Sequence, residues 1–192
     1  ERVRRHFKCE ARDRDQTKPL PSLADWQLMR RKYINVVDPA ARFDDPVSPT
    51  VGYTLDEHGH QPYYAKYSKG KGRGLFASRN IRKGEIIHNG ARSDVIFPNA
   101  MAWRRYIFSL PRDLACDTTS WNWTQERKDG RFQLRSSLNI AILMNSGRND
   151  SVNVRPTSGA ATKFVAIRDI AKDEEILYDY GAYRTDWAAF GL

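Results

Sequence analysis

Residues 68–87 constrain this chain most: Ser-Lys-Gly-Lys-Gly-Arg-Gly-Leu-Phe-Ala-Ser-Arg-Asn-Ile-Arg-Lys-Gly-Glu-Ile-Ile. Three glycines alternate at Gly70, Gly72 and Gly74, where the backbone is free to take positive φ and to let another group approach closely. Apolar Leu75-Phe76-Ala77 and Ile86-Ile87 then flank a polar break and a Lys83-Gly84 turn, the pattern of strand, turn, strand. Two glycine motifs are excluded. A Walker A loop needs Gly-Lys followed by Ser or Thr, and Gly72 is followed by Arg73. A dinucleotide fingerprint places its third glycine one residue later and opens a helix. The loop therefore offers backbone groups to a small molecule without a phosphate-cradling helix, or it is a basic hairpin loop.

Elsewhere the signals are short. A basic run (Arg2, Arg4, Arg5, Lys8, Arg12, Arg14) reads as a solvated tail to about Pro21, with a DNA-contacting arm as the sharper alternative. Ser22, with Asp25 three residues on, is a capping-box start. Leu23, Trp26, Met29, Tyr33 and Val36 then follow at helical spacing until Asp38-Pro39. Residues 44–60 read as loop, His58-Gly59-His60 included. Tyr63, Tyr64 and Tyr67 mark a strand entering the glycine loop. Trp103, Tyr106, Ile107 and Leu110 indicate a short helix. Residues 114–119 read as a strand holding Cys116. Asp129-Gly130 between two aromatic-rich runs predicts a hairpin. Residues 138–144 are apolar and end in the Asn145-Ser146-Gly147 turn, and residues 163–167 alternate as a strand. Short strands, few helices and no βαβ alternation define a mostly β or α+β domain.

The net charge of +9 over 192 residues favours anionic partners such as nucleic acid. No stretch is apolar enough to span a membrane, so no membrane partner is expected. The chain does not begin with Met and reads as part of something longer. Cys9 and Cys116 lie far apart, which argues against a cysteine-rich zinc site and a disulfide scaffold and for a reducing compartment. The four histidines show no ligand spacing, so no metal is expected.

Three stretches occur in a telling order: Gly72-Arg73-Gly74 with Ile81 and Gly84-Glu85-Ile86; Leu143-Met144-Asn145-Ser146 followed by Asn153; and Glu174-Glu175-Ile176-Leu177-Tyr178-Asp179-Tyr180-Gly181. This set resembles the SET-domain protein lysine methyltransferases over roughly residues 63–187. The resemblance implies several small β-sheets, a C-terminal pseudoknot of the Asn145 segment and the last strand, and few short helices. It divides the chain into a pre-SET-like part without zinc cysteines (1–60), a SET domain (61–181) with an insert at about 91–138, and a C-terminal helix (182–192). Three features depart from the family, one of them the longer spacing from Asn145 to Asn153. The middle motif there reads Asn-His-Ser, against Asn145-Ser146-Gly147 here, and the post-SET cysteine cluster is missing.

The resemblance also implies roles. The backbone of Lys71, Gly72 and Arg73 touches the methionine part of S-adenosylmethionine, with Trp103 nearby. The Asn145 amide holds its amino group, the Ser146 backbone its adenine edge, and Trp187 stacks on adenine, with Phe190 as second choice. Tyr180 stands at methyl transfer, and Tyr106, Tyr178 and Tyr180 wall the lysine channel. A tyrosine at 178 implies mono- or dimethylation. Glu174 and Glu175 read as turn residues. Displacement at a sulfonium methyl needs no acid, so alignment and oxygen dipoles carry the catalysis. Presenting lysine neutral near pH 8 costs about 3 kcal/mol, which a desolvating channel lowers. The expected function is S-adenosylmethionine-dependent lysine N-methylation, with S-adenosylhomocysteine as product. The expected substrate is a histone or nucleosome in the nucleus, with the basic surface available to DNA. The alternatives are a non-histone protein substrate and a non-catalytic SET-like module that binds a protein or nucleic acid.

Overall fold

The computed structural model describes residues 2–15, 18–43, 62–90, 93–126, 129–157 and 163–182. Two five-residue helices, α1 (Arg2–His6) and α2 (Glu10–Arg14), precede the longer α3 (Leu23–Val36). Ser22 and Asp25 form the expected capping box at the start of α3. The α3 face buries Trp26, Met29 and Tyr33. Trp26 stacks on Trp121 at 5.7 Å, and the Tyr33 hydroxyl donates to the Ile96 carbonyl at 2.6 Å. The helix is thus the cover of the core.

The strands form four small sheets. Strands β1 (Tyr63–Ser68) and β2 (Gly72–Ala77) make an antiparallel hairpin running from Tyr63 opposite Ala77 to Ser68 opposite Gly72. Positive φ at Gly70 and Gly72 closes its turn. Strand β3 (Ile86–Asn89) pairs with β9 (Lys163–Ala166), which also pairs with β8 (Val154–Pro156). Strand β4 (Asp94–Phe97) joins the hairpin of β5 (Asn122–Glu126) and β6 (Phe132–Ser137), with Gly130 at positive φ in the turn. Two-residue strands β7 (Asn145–Ser146) and β10 (Leu177–Tyr178) pair in parallel. Between β4 and β5 lie α4 (Ala100–Phe108) and α5 (Arg112–Ser120). The observed fold is the expected α+β arrangement of small sheets and short helices. Its core gathers Tyr63, Leu75, Ile87, Phe97, Ile107 and Leu134, all buried.

Three local expectations are corrected. Residues 112–120 form helix α5, not a strand: Pro111 caps it and Asp113 sits in its first turn, both start signals. The basic N-terminal run is not a solvated tail. Arg12 bonds inward to Asp117 and Arg4 to Asp13 and Thr119, while Arg2, Arg5, Lys8 and Arg14 are exposed. Cys9 and Cys116 are not separate thiols; a disulfide joins them across 107 residues. Their positions in α5 and just before α2 bring the Cα atoms to 5.3 Å.

Candidate active site

The last strand is held from both sides, and this organises the site. On one side it meets β2: Ile176 donates its N–H to the Leu75 carbonyl at 2.7 Å, and Ala77 donates to the Glu174 carbonyl at 2.9 Å. On the other it meets the 145–153 segment. Gly147 donates to the Tyr178 carbonyl at 3.0 Å, and Asn153 N–H donates to the Leu177 carbonyl at 3.0 Å. The Asn153 side chain is the central clamp. Its Oδ1 accepts from Leu177 N–H at 2.8 Å, and its Nδ2 donates to the Glu175 carbonyl at 2.8 Å and to Glu174 Oε1 at 3.1 Å. Asn153 is fully buried, so each of these bonds replaces water.

Around this strand a polar cluster forms. Asn145 Nδ2 donates to the Arg73 carbonyl at 3.0 Å and to Glu175 Oε1 at 2.9 Å. Lys71 Nζ meets Glu175 Oε2 at 3.2 Å. Both amide hydrogens of Asn145 are thereby engaged within the chain, which leaves Oδ1 as its acceptor for a ligand. Glycine is required beside the cluster. A Cβ at Gly74 would lie 2.8 Å from Glu175 Oε1 and 3.0 Å from Asn145 Nδ2. A Cβ at Gly147 would lie 2.9 Å from Ser151 Oγ and 3.0 Å from Leu177 Cβ, which accounts for glycine where the family has serine.

A cleft of about 560 Å³ opens over Lys71, Asn145, Ser146, Gly147, Arg148, Ser151, Leu177 and Tyr180. A narrower cavity of about 50 Å³ is lined by His88, Asp94, Trp123, Met144, Phe164 and Tyr178, with Ser137, Ala141 and Ile142. Tyr178 lines the narrow cavity and Tyr180 the cleft, and their ring centroids lie 4.6 Å apart. The Tyr180 hydroxyl donates to the Met144 carbonyl at 2.7 Å. The residue is 48% exposed, but its hydroxyl end is sheltered against Met144, and that desolvation raises the phenol above its ordinary value against a hydrogen bond from Tyr178 that lowers it, so the hydroxyl is protonated near neutral pH. His88 shares a hydrogen bond with the Tyr63 hydroxyl, and burial drives the imidazole down to about 4. It is neutral in the fold.

The structure brings together Lys71, Gly72, Arg73, Asn145, Ser146, Tyr178 and Tyr180. It does not bring Tyr106 to them. Tyr106 is fully buried against Phe97 at 5.3 Å and Tyr33 at 6.1 Å, in the layer beneath α3. Trp103 is likewise a buried core residue of α4. Neither lines the two cavities, because the inward face of α4 turns toward α3 and β4. Trp187 and Phe190 lie outside the described residues. Glu175 was legible only as a turn residue, yet it joins Lys71 to Asn145. Arg148, on the cleft wall, carries no motif signal. Among the described residues no group of three or more His, Cys, Asp or Glu side chains is placed to hold a metal ion, and no helix is long and apolar enough to cross a membrane.

A short parallel pair β7–β10, clamped by Asn153 under a glycine hairpin and opening onto a tyrosine pair, defines a SET-type domain. The chain belongs to that family: the SET domain model matches residues 72–181, more than half of the sequence. No curated protein matches the sequence. Among solved structures, the chain is similar to the Chaetomium thermophilum Polycomb Repressive Complex 2 in an autoinhibited conformation bound to S-adenosylmethionine. That match has 19% identity and a TM-score of 0.43 and covers 64% of this chain and 15% of that one. It is also similar to a Plasmodium falciparum protein described as a histone methyltransferase, with 23% identity and a TM-score of 0.40 over 65% of this chain and 96% of that one. The chain thus spans about 15% of the length of the Polycomb chain it matches.

Proposed function

We propose that this chain is an S-adenosylmethionine-dependent protein lysine N-methyltransferase, with the 560 Å³ cleft as donor site and the narrow cavity as lysine channel. The carrying observation is that Tyr178 lines the narrow cavity and Tyr180 the cleft, with their ring centroids 4.6 Å apart. The residues present fit the donor. Gly74 and Gly147 let the cluster and the 145–153 segment pack closely, Asn145 on the cleft wall keeps Oδ1 as an acceptor for an ammonium, and Arg148 on the same wall supplies a cation for a carboxylate. S-adenosylmethionine, when bound, supplies an electrophilic methyl on a positive sulfur.

The chain's own residues align and desolvate. The protonated Tyr180 hydroxyl donates to Met144 and accepts from Tyr178, which leaves one oxygen lone pair for a weak C–H···O contact with a polarised methyl. Tyr178 and Phe164, in edge contact at 5.1 Å, wall the channel and exclude water, which lowers the amine's affinity for a proton. The Asp94 carboxylate on the cavity wall favours an incoming cationic side chain. Tyr178 leaves room for limited methylation, and mono- or dimethyl-lysine is the expected product. Predominant trimethyl-lysine would overturn that part. A histone lysine is the proposed substrate and the nucleus the proposed workplace, with the remaining basic surface available to nucleosomal DNA.

Calorimetric titration with S-adenosylmethionine and S-adenosylhomocysteine tests the donor site. Micromolar binding that Asn145→Ala removes is expected. Absence of binding at millimolar ligand would overturn the reading and favour a non-catalytic module, the interpretation that the missing motif histidine supports.

A further inference from the structure

The disulfide lies beside a buried ion-pair network that reaches the glycine hairpin. Cys116 is followed directly by Asp117 on α5, and Cys9 precedes Arg12 by three residues. The Asp117 side chain is 1% exposed and takes two guanidinium groups. Arg12 donates from Nε to Oδ1 at 3.2 Å and from Nη2 to Oδ2 at 2.9 Å, while Arg73 Nη1 donates to Oδ2 at 2.8 Å. Arg73 also donates to the Pro19 carbonyl at 3.2 Å and lies over the Trp121 ring at 5.1 Å. Burial opposes the charge on Asp117, but the hydrogen bonds from Arg12 and Arg73 outweigh it and hold the carboxyl below its ordinary range. The same Arg73 presents its backbone carbonyl to Asn145 Nδ2. A continuous path of contacts thus runs from Arg12 through Asp117 and Arg73 to the candidate donor-binding amide.

The outer end of that path is secured by one covalent bond and a set of mostly surface contacts. Helices of five residues have no stability of their own. Besides the disulfide, the segment is held by Arg4 donating to Thr119 and Ser120 on α5, by Arg112 donating to the Phe7 and Lys8 carbonyls at 2.8 and 3.1 Å, by the Phe7 ring against Phe108 and by Val3 in the core. Cys9 borders a surface cleft whose walls include Arg4, Arg5, Lys8 and Arg14 together with Glu10 and Asp13, but it is only 1% exposed and Cys116 is fully buried, so a reductant reaches the bond when the short N-terminal helices open locally. Disulfides in reducing compartments are mostly redox-sensing ones, so a bond of this kind suits a switch in the proposed nuclear setting.

We propose that Asp117 is a positioning residue for the donor-binding hairpin and that the Cys9–Cys116 disulfide keeps Arg12 seated on it, so that reduction loosens the hairpin and weakens donor binding. The part about the donor rests on the function proposed above. Reduction by a dithiol transfers two electrons and two protons: the S–S bond breaks, Cys9 and Cys116 become thiols, and the dithiol closes to its own disulfide. The freed segment lifts Arg12 away, water reaches Asp117, and the Arg73 pair is left in a wetter, weaker setting.

The test uses the full chain, oxidised and after dithiothreitol, with thiol titration to confirm the release of two thiols. Hydrogen exchange of peptides spanning residues 68–75 is expected to speed up at least about fivefold on reduction, while peptides over 132–137 stay unchanged. Donor affinity by calorimetry is expected to fall by a similar factor. In Asp117→Asn the 68–75 exchange is fast in both redox states, and Arg12→Ala carries the same expectation should Asp117→Asn not fold. Two thiols released with unchanged 68–75 exchange would overturn the proposal, as would exchange that remains sensitive to reduction in these variants. If the oxidised chain binds no donor, the functional reading fails, and the exchange data still decide the brace. If it binds donor equally in both states while exchange changes, the link to affinity is what fails.

Discussion

Replacing Asn153 by alanine probes the clamp that holds the last strand. The side chain makes three bonds at 2.8, 2.8 and 3.1 Å in a fully buried position. Alanine leaves Leu177 N–H and the Glu175 carbonyl without that partner, and each orphaned buried group costs about 1–3 kcal/mol, so a loss of about 2–6 kcal/mol is expected. Asparagine to aspartate is sterically neutral but electrostatically different. One oxygen still accepts from Leu177, while the other replaces a donor and faces the Glu175 carbonyl and the Glu174 carboxylate. Burial and that like charge raise the folded-state pKa of the new carboxyl above its unfolded value of about 3.9. Its penalty is therefore absent below about pH 4 and grows as pH rises toward the folded pKa. Urea unfolding followed by circular dichroism, at pH 7 and near pH 4, measures both variants. Asn153→Ala within about 0.5 kcal/mol of the wild type would refute the reasoning, because it would mean that water or a neighbour satisfies both groups. An Asn153→Asp penalty that does not shrink toward pH 4 would refute the electrostatic part.

Other expectations follow from the same geometry. Gly74→Ala forces Glu175 and Asn145 apart and should weaken S-adenosylmethionine binding roughly 5- to 150-fold, for an overpacking cost of about 1–3 kcal/mol; calorimetry checks this, and unchanged affinity would show that the cluster can shift without loss. Tyr180→Phe removes the hydroxyl at the junction of the two cavities and should lower kcat at least about tenfold while leaving donor Kd within about twofold, as read from single-turnover rates and titration. His88 titrates at about 4 in the fold against 6.5 when unfolded, so its contribution is present above pH 6.5 and lost as pH falls toward 4, about 3 kcal/mol in all. Replacing His88 by phenylalanine should remove that acid-dependent part of the unfolding free energy, and an unchanged pH profile would refute the assignment.

The sequence reading succeeded where the determining interactions are local. The Ser22 and Asp25 capping box closes within one helical turn, and the Asp129-Gly130 turn selects the β5–β6 hairpin from its own backbone preferences. It failed at α5, where Cys116, Thr118 and Thr119 suggested a strand. The Pro111 and Asp113 start signals, together with packing of Leu114, Ala115 and Cys116 into the core, override that preference. Tyr106 was misplaced for a similar reason: helical spacing identifies its inward face but not the neighbour that face meets, which is the Tyr33 and Phe97 layer.

The candidate site divides along the same line. Sequence by itself determined the glycine hairpin, the tyrosine pair and the order of the motifs along the chain, because each is a short motif whose residue types state their own backbone and chemical needs; Asn145 and Ser146, expected in a turn, instead pair as β7 with β10. Tertiary structure alone decided that Glu175 links Lys71 to Asn145, that Asn153 clamps the last strand, and that Cys9 meets Cys116 beside the Arg12–Asp117–Arg73 network. Those contacts join residues 24 to 107 positions apart. Their partners are chosen by which faces the small sheets and α5 bury together, and one-dimensional spacing carries no record of that choice.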